Sequence, residues 1–156
     1  MPHRLGLVSD THGLLRPAVA TRLAGVEVVL HAGDVGSLDV MIGPGAIAPV
    51  HAVLGNVDDP HMPGLSAQVT LDIGGCRILV THGHELGSPT PTRLIERYDA
   101  DIIVYGHTHR ALVERIGRHL VVNPGAAGAA RFHLVPSLAI LTIDDGDADV
   151  EILPLV

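Results

Sequence analysis

The chain has 156 residues, 47% of them hydrophobic and 17% charged, room for one domain with a buried core and not for two of ordinary size. No apolar run approaches the roughly 18 residues that cross a bilayer, and Leu5–Val8 stops at Ser9-Asp10, too early for the apolar stretch of a secretion signal, so a membrane protein is excluded and a cytoplasmic location is expected. A net charge of -7, and only three aromatic residues (Tyr98, Tyr105 and Phe132), exclude a strong nucleic-acid surface of the basic, base-stacking kind.

In chain order, short apolar runs end repeatedly in polar clusters. Leu5–Val8 runs into Ser9-Asp10-Thr11-His12-Gly13, and Val26–Leu30 into His31-Ala32-Gly33-Asp34. Val50–Leu54 leads to Gly55-Asn56-Val57-Asp58, Ile78–Val80 to Thr81-His82-Gly83-His84, and Ile102–Tyr105 to Gly106-His107-Thr108-His109. Runs of this kind suit strands buried on both faces of a sheet, with ligands bound beyond their carboxyl ends. Between them, Leu15, Val19 and Leu23 give a helical stripe over 14–24. Ser37 can cap a helix in 37–48 that Gly43-Pro44-Gly45 cuts short, and Thr90-Pro91 opens a helix over 90–98 with Leu94, Ile95 and Tyr98 on its apolar face. Hairpins are expected around Gly74-Gly75, around Gly117 and around 144–147, and a loop over 125–130. The pattern predicts two packed sheets with helices outside. Cys76, the single cysteine, reads as a small buried apolar side chain.

Each polar cluster alone is an ordinary turn. Together the strand ends deliver Asp10, Asp34, Asn56 and several imidazoles to one edge, a mixed nitrogen and oxygen set suited to Mn, Fe or Zn rather than Ca or Mg. His107 and His109, two residues apart, would share a side in a strand. Six or seven such groups exceed the four that one structural zinc takes, and two ions sharing a carboxylate fit the count.

The ordered series Asp10-x-His12, Gly33-Asp34, Gly55-Asn56, His82 and Gly106-His107-x-His109 resembles the calcineurin-like metallophosphoesterase superfamily. Ser9 to Gly13, Thr81 to His84 and Asn123-Pro124-Gly125 are similar to its small bacterial and archaeal phosphodiesterases, the YfcE-like branch. The resemblance covers about Leu5 to Ile143 and implies an α/β fold, a four-layer α/β/β/α sandwich in one domain over 1–156. It also implies a metal site. Asp10, His12, Asp34 and His109 would hold the first ion and Asp34, Asn56, His82 and His107 the second. Two divalent transition-metal ions are expected, Mn2+ first, with Ni2+, Fe2+ or Zn2+ as alternatives. The implied reaction is hydrolysis of a small phosphodiester by a hydroxide bridging the ions.

Two positions depart from the branch. Val57 stands where many members carry a histidine available to protonate the leaving group, so water or another imidazole such as His84 would supply that proton, although a supporting or backbone-orienting role fits His84 better; Asp34, Asn56 and His84 are the catalytic candidates. Ala126 replaces a frequent serine. Asp58 and His31 are expected to hydrogen-bond around the site, Arg16, Arg110 and Arg131 lie near its loops, and His3, His51, His61, His119 and His133 read as ordinary imidazoles. The alternatives are an interaction scaffold on the same fold, as a retromer subunit is, and a phosphomonoesterase. A homo-oligomer is left open.

Overall fold

A computed structural model describes residues 2–37, 39–129 and 133–155; Arg131 and Phe132, and the end of the loop expected over 125–130, lie outside the described residues. Two sheets stack face to face. The first, in the order β11-β10-β1-β2-β3-β4, comprises β1 His3–Val8, β2 Val28–His31, β3 Val50–Val53, β4 Leu65–Ser66, β10 Ser137–Asp144 and β11 Asp147–Pro154. The second, in the order β5-β6-β7-β9-β8, comprises β5 Gln68–Ile73, β6 Cys76–Thr81, β7 Ile102–Val104, β8 Leu112–Ile116 and β9 His119–Asn123. Strands β1 to β4 run parallel, as do β6, β7 and β9, while the three expected hairpins supply antiparallel pairs.

The apolar runs need two hydrophobic neighbours because alternate side chains leave opposite faces of a strand. Leu5, Leu7, Val28 and Leu30 point between the sheets and meet Ile78, Val80, Ile102, Val104, Leu120 and Val122. On the outer face of the first sheet, Val8 and Val29 pack under Val19 of helix α1, Pro17–Arg22, and under Leu23, which caps it. Leu79, Ile103 and Val121 pack under Leu94 of helix α3, Pro91–Arg97, and Val40 of helix α2, Asp39–Gly45, meets Val35 and Ala52. The layers are therefore α/β/β/α. Among the described residues no helix is long and apolar enough to cross a membrane.

Local chemistry moves several boundaries. The stripe over 14–24 yields a helix only from Pro17, because a residue before proline is pushed out of the helical region and Arg16 is extended at φ -74°, ψ 138°. Thr90 caps α3 by accepting the Arg93 N–H, but Tyr98 leaves the helix as its extended end. Helix α2 is short, as expected, and ends within Gly43-Pro44-Gly45, running through Pro44 to Gly45. His107 and His109 lie in the loop after β7 and not in a strand, and His84 opens a short 3-10 turn, His84–Leu86. The two-residue β4 has no signal in the sequence. Cys76 is buried as expected, its thiol toward the Gly146 carbonyl at 3.4 Å.

Candidate metal centre

The loops after the parallel strands are locked together before any side chain contributes. The Asp10 N–H donates to Gly33 O at 2.9 Å, the His12 N–H to Asp34 O at 2.9 Å, and the Gly13 N–H to Val35 O at 2.8 Å. Asp10, His12, Asp34, His107 and His109 all have left-handed backbone, with φ between 48° and 73°. Such a conformation costs a non-glycine residue of order 1 kcal/mol or more and persists where the surroundings impose it, most often at functional sites. Two motif glycines are explained by contact. A Cβ on Gly55 would lie 2.0 Å from Asp34 Oδ1, and one on Gly106 would lie 2.1 Å from Ser9 Oγ and 2.6 Å from Asp10 Oδ2.

Asp10 is the centre of the arrangement. Its Oδ2 accepts from Ser9 Oγ at 2.5 Å and from the His107 N–H at 3.1 Å. Its Oδ1 is buried with no hydrogen-bond partner among the described residues, 3.4 Å from His109 Nε2, 3.8 Å from His12 Nε2 and 3.9 Å from His82 Nε2. Asp34 stands beside it, with Oδ1 accepting the Val57 N–H at 3.0 Å and Oδ2 lying 3.2 Å from His82 Nε2 and 3.6 Å from His12 Nε2. His82 donates from Nδ1 to Ala32 O at 2.8 Å, which directs its Nε2 toward Asp34 Oδ2 at 3.2 Å and Asn56 Oδ1 at 3.0 Å. Two groups able to hold an ion result: Asp10, His12 and His109, and Asp10, Asp34 and His82.

Not every expected residue enters those groups. The ring of His107 meets that of His82 edge-on at 5.2 Å between centroids, and the exposed ring of His84 lies 5.3 Å from His82 and 6.4 Å from His107. Both flank the Asp34 and His82 side. Asn56 is solvent-facing, and Val57 is 57% exposed. Arg16 is engaged with Gly128 O at 2.8 Å.

Supporting residues surround the donors. Asp58 accepts the N–H groups of Val35, Gly36 and Gly55, fixing the β2 and β3 loops to each other. His31 accepts the Gly33 N–H on Nδ1 at 3.1 Å, so its Nε2–H donates to Thr11 Oγ1 at 3.0 Å, and the Thr11 hydroxyl donates to Val35 O. Sequence reasoning missed Ser9, which anchors the inner oxygen of Asp10; its position next to the aspartate was the available signal. It also missed Glu85, which accepts from the hydroxyls of Thr81 and Tyr98 and pins the turn carrying His84.

The electrostatics match a cation site. Burial works against an ionised Asp34, but the His82 hydrogen bond and the Val57 N–H outweigh it and lower its pKa to about 2. Burial likewise opposes a charged His82, yet hydrogen bonding to Asp34 and the charge of Asp10 raise its pKa. Burial and the neighbouring His82 lower that of His107. An unsatisfied carboxylate oxygen among imidazole nitrogens fits divalent ions that accept both donor types.

Two mixed sheets with carboxylates, imidazoles and a carboxamide at the carboxyl edge of their parallel strands define an α/β protein with a candidate site for divalent cations. Residues 4–146 match the calcineurin-like phosphoesterase superfamily domain, and the chain belongs to that family. It is 30% identical to a probable metallophosphoesterase of Methanothermobacter thermautotrophicus, over 96% of this chain and 91% of that protein. It is also 30% identical to the phosphodiesterase YfcE of Escherichia coli K12, over 79% and 78%. Among solved structures, wild-type Vps29 of Entamoeba histolytica complexed with Zn2+ matches at a TM-score of 0.78 and 25% identity, covering 98% of this chain and 99% of that one.

Proposed function

We propose that the chain, as a single cytoplasmic domain over residues 1–156, hydrolyses a small phosphodiester with two divalent transition-metal ions, Mn2+ first among them. The observation that carries this reading is Asp10 Oδ1, buried and without a hydrogen-bond partner among the described residues where three imidazole Nε2 atoms converge on it. Asp10, His12, Asp34 and His109 would hold one ion, and Asp34, Asn56, His82 and His107 the other. Bound ions of this kind activate water at neutral pH and stabilise the charge of attacking and leaving oxygens.

The chain's own residues set the rest. Asp34 is oriented by the Val57 N–H and His82 by Ala32 O, so both present fixed donor atoms. Asn56, solvent-facing at the rim, would orient the phosphoryl group, and the exposed imidazole of His84 would protonate the departing alcohol in place of the residue that Val57 replaces. Two carboxylates and one hydroxide against two dications would leave the pocket only weakly positive, and among the described residues no arginine pairs with Asp10 or Asp34, an environment that favours a diester's single charge over a monoester's two. Metal analysis combined with hydrolysis of an aryl phosphodiester and its matched monoester tests the reading. Close to two ions per chain, loss of turnover in chelator, rescue by Mn2+ and a faster diester are expected; a monoester turned over at least as fast overturns the diester preference. The exposed Val57 favours one second reading, a binding scaffold on the same fold. Metal-loaded protein without turnover of any phosphoester would establish it over the enzyme.

A further inference from the structure

On the Asn56 and His84 side of the ligand cluster lies a cavity of about 510 Å³. Leu54, Pro60 and Ala67 form its apolar wall, and Gln68, Arg97 and Tyr98 add polar groups and a phenol ring. That size, and an apolar lining interrupted by a few polar groups, are the properties of a small-molecule site. The walls are fixed. Tyr98 donates its hydroxyl to Glu85 Oε1 at 2.8 Å, which sets the position of the ring, and the Arg97 guanidinium lies 5.7 Å from the ring centroid. Asp58 and Glu85 also border the cavity, and their carboxylates are already engaged, Asp58 by three backbone N–H groups and Glu85 by two hydroxyls.

We infer that this cavity is the subsite for one ester substituent of the phosphodiester, and that the substituent it takes is an uncharged aromatic ring seated against Tyr98 and Arg97. The inference rests on the phosphodiesterase reading above. Continuity with Asn56 and His84 sets the occupant next to the phosphoryl group. The two carboxylates disfavour a second anionic group there, whereas a tyrosine ring and a guanidinium both receive the face of an aromatic ring. The Gln68 amide offers a donor and an acceptor to the ring's edge.

The test is calorimetric binding of methyl phenyl phosphate and dimethyl phosphate to the Mn2+-loaded protein, two monoanionic diesters that differ by one ring. Wild type should bind the phenyl ester about tenfold more tightly. Ala67→Trp, which fills the cavity from a position outside the Glu85 network, and Tyr98→Leu should each bring the ratio close to one with metal content unchanged. Tyr98→Phe, which keeps the ring and loses its bond to Glu85, should hold the ratio above that of Tyr98→Leu. A wild-type ratio near one, or a ratio that survives both Ala67→Trp and Tyr98→Leu, overturns the subsite. Hydrolysis is measured separately, so a ratio that collapses as expected in a protein that cleaves no diester upholds the subsite and overturns the hydrolase reading alone.

Discussion

Charge is handled in opposite ways at the two ends of the parallel strands. At the amino end of β6, β7 and β9, Arg118 reaches Asp99 at 3.0 Å and Asp101 at 2.8 Å, and Arg77 reaches Asp72 at 3.5 Å, all with side chains at least 40% exposed. At the carboxyl end the side chains of Asp10 and His82 are 0% exposed and that of Asp34 is 4% exposed, and their neighbours are imidazoles. Exposed pairs contribute about 0–1 kcal/mol each, whereas a buried carboxylate costs several kcal/mol unless a cation compensates it. The contrast separates charge that serves solvation from charge that awaits a ligand.

The contrast is broken most severely by Asp34→Asn, which removes the carboxylate facing both His82 and His12. Activity should fall by about 10³-fold or more and bound metal below two per chain, read by turnover and metal analysis. Wild-type turnover in that variant would show that the buried charge has no catalytic part. A smaller effect comes from His31. Its pKa is pushed down from 6.5 to about 4, chiefly by burial, so between those values the unfolded chain binds the proton more readily than the native one. Stability contributed by neutral His31 is complete above pH 6.5 and is lost as pH falls toward 4, by at most ~3 kcal/mol. Denaturation of wild type and His31→Gln across that window should therefore show a shallower acid loss in the variant, and parallel curves would refute the assignment. Loading with Mn2+ at about a hundred times its Kd should add ~2.7 kcal/mol of stability, seen as a Tm rise that chelator reverses. Least of all, Arg118→Ala at the solvated end, which removes two exposed pairs, should move stability by no more than ~2 kcal/mol and leave metal content untouched.

Much of this was legible in the sequence for a physical reason. A strand buried on both faces must be apolar throughout, so the change to Asp, His, Asn and Gly after each run marks its carboxyl end. Asp10, His12, Asp34, Asn56, His82 and His109 come together in space as that pattern suggests, and the three hairpins follow their glycine turns. What escaped depends on backbone conformation and long-range contact. His107-Thr108-His109 alternates like a strand, but the left-handed φ of both histidines sends them around a loop. Strand β4 exists because β3 offers an edge beside it, with Ala52 opposite Leu65, and two residues carry no periodicity. The chain from Thr81 through Glu85 to Tyr98 links β6 to the end of α3, and no local spacing announces it.

The pairing of β1 with β10 has a consequence for how the chain is made. Leu5 sits opposite Leu141 and Leu7 opposite Ala139, so β1 gains one of its two neighbours only after the intervening residues 9–136 have been made. Until then β1 is an open edge, with N–H and C=O groups free to template another nascent chain, and the layer between the sheets lacks Ala139, Leu141 and Ile143. A chain stalled before residue 137 would carry every metal donor named above and yet be a substrate for chaperones rather than an enzyme, because its late hairpin closes the sheet.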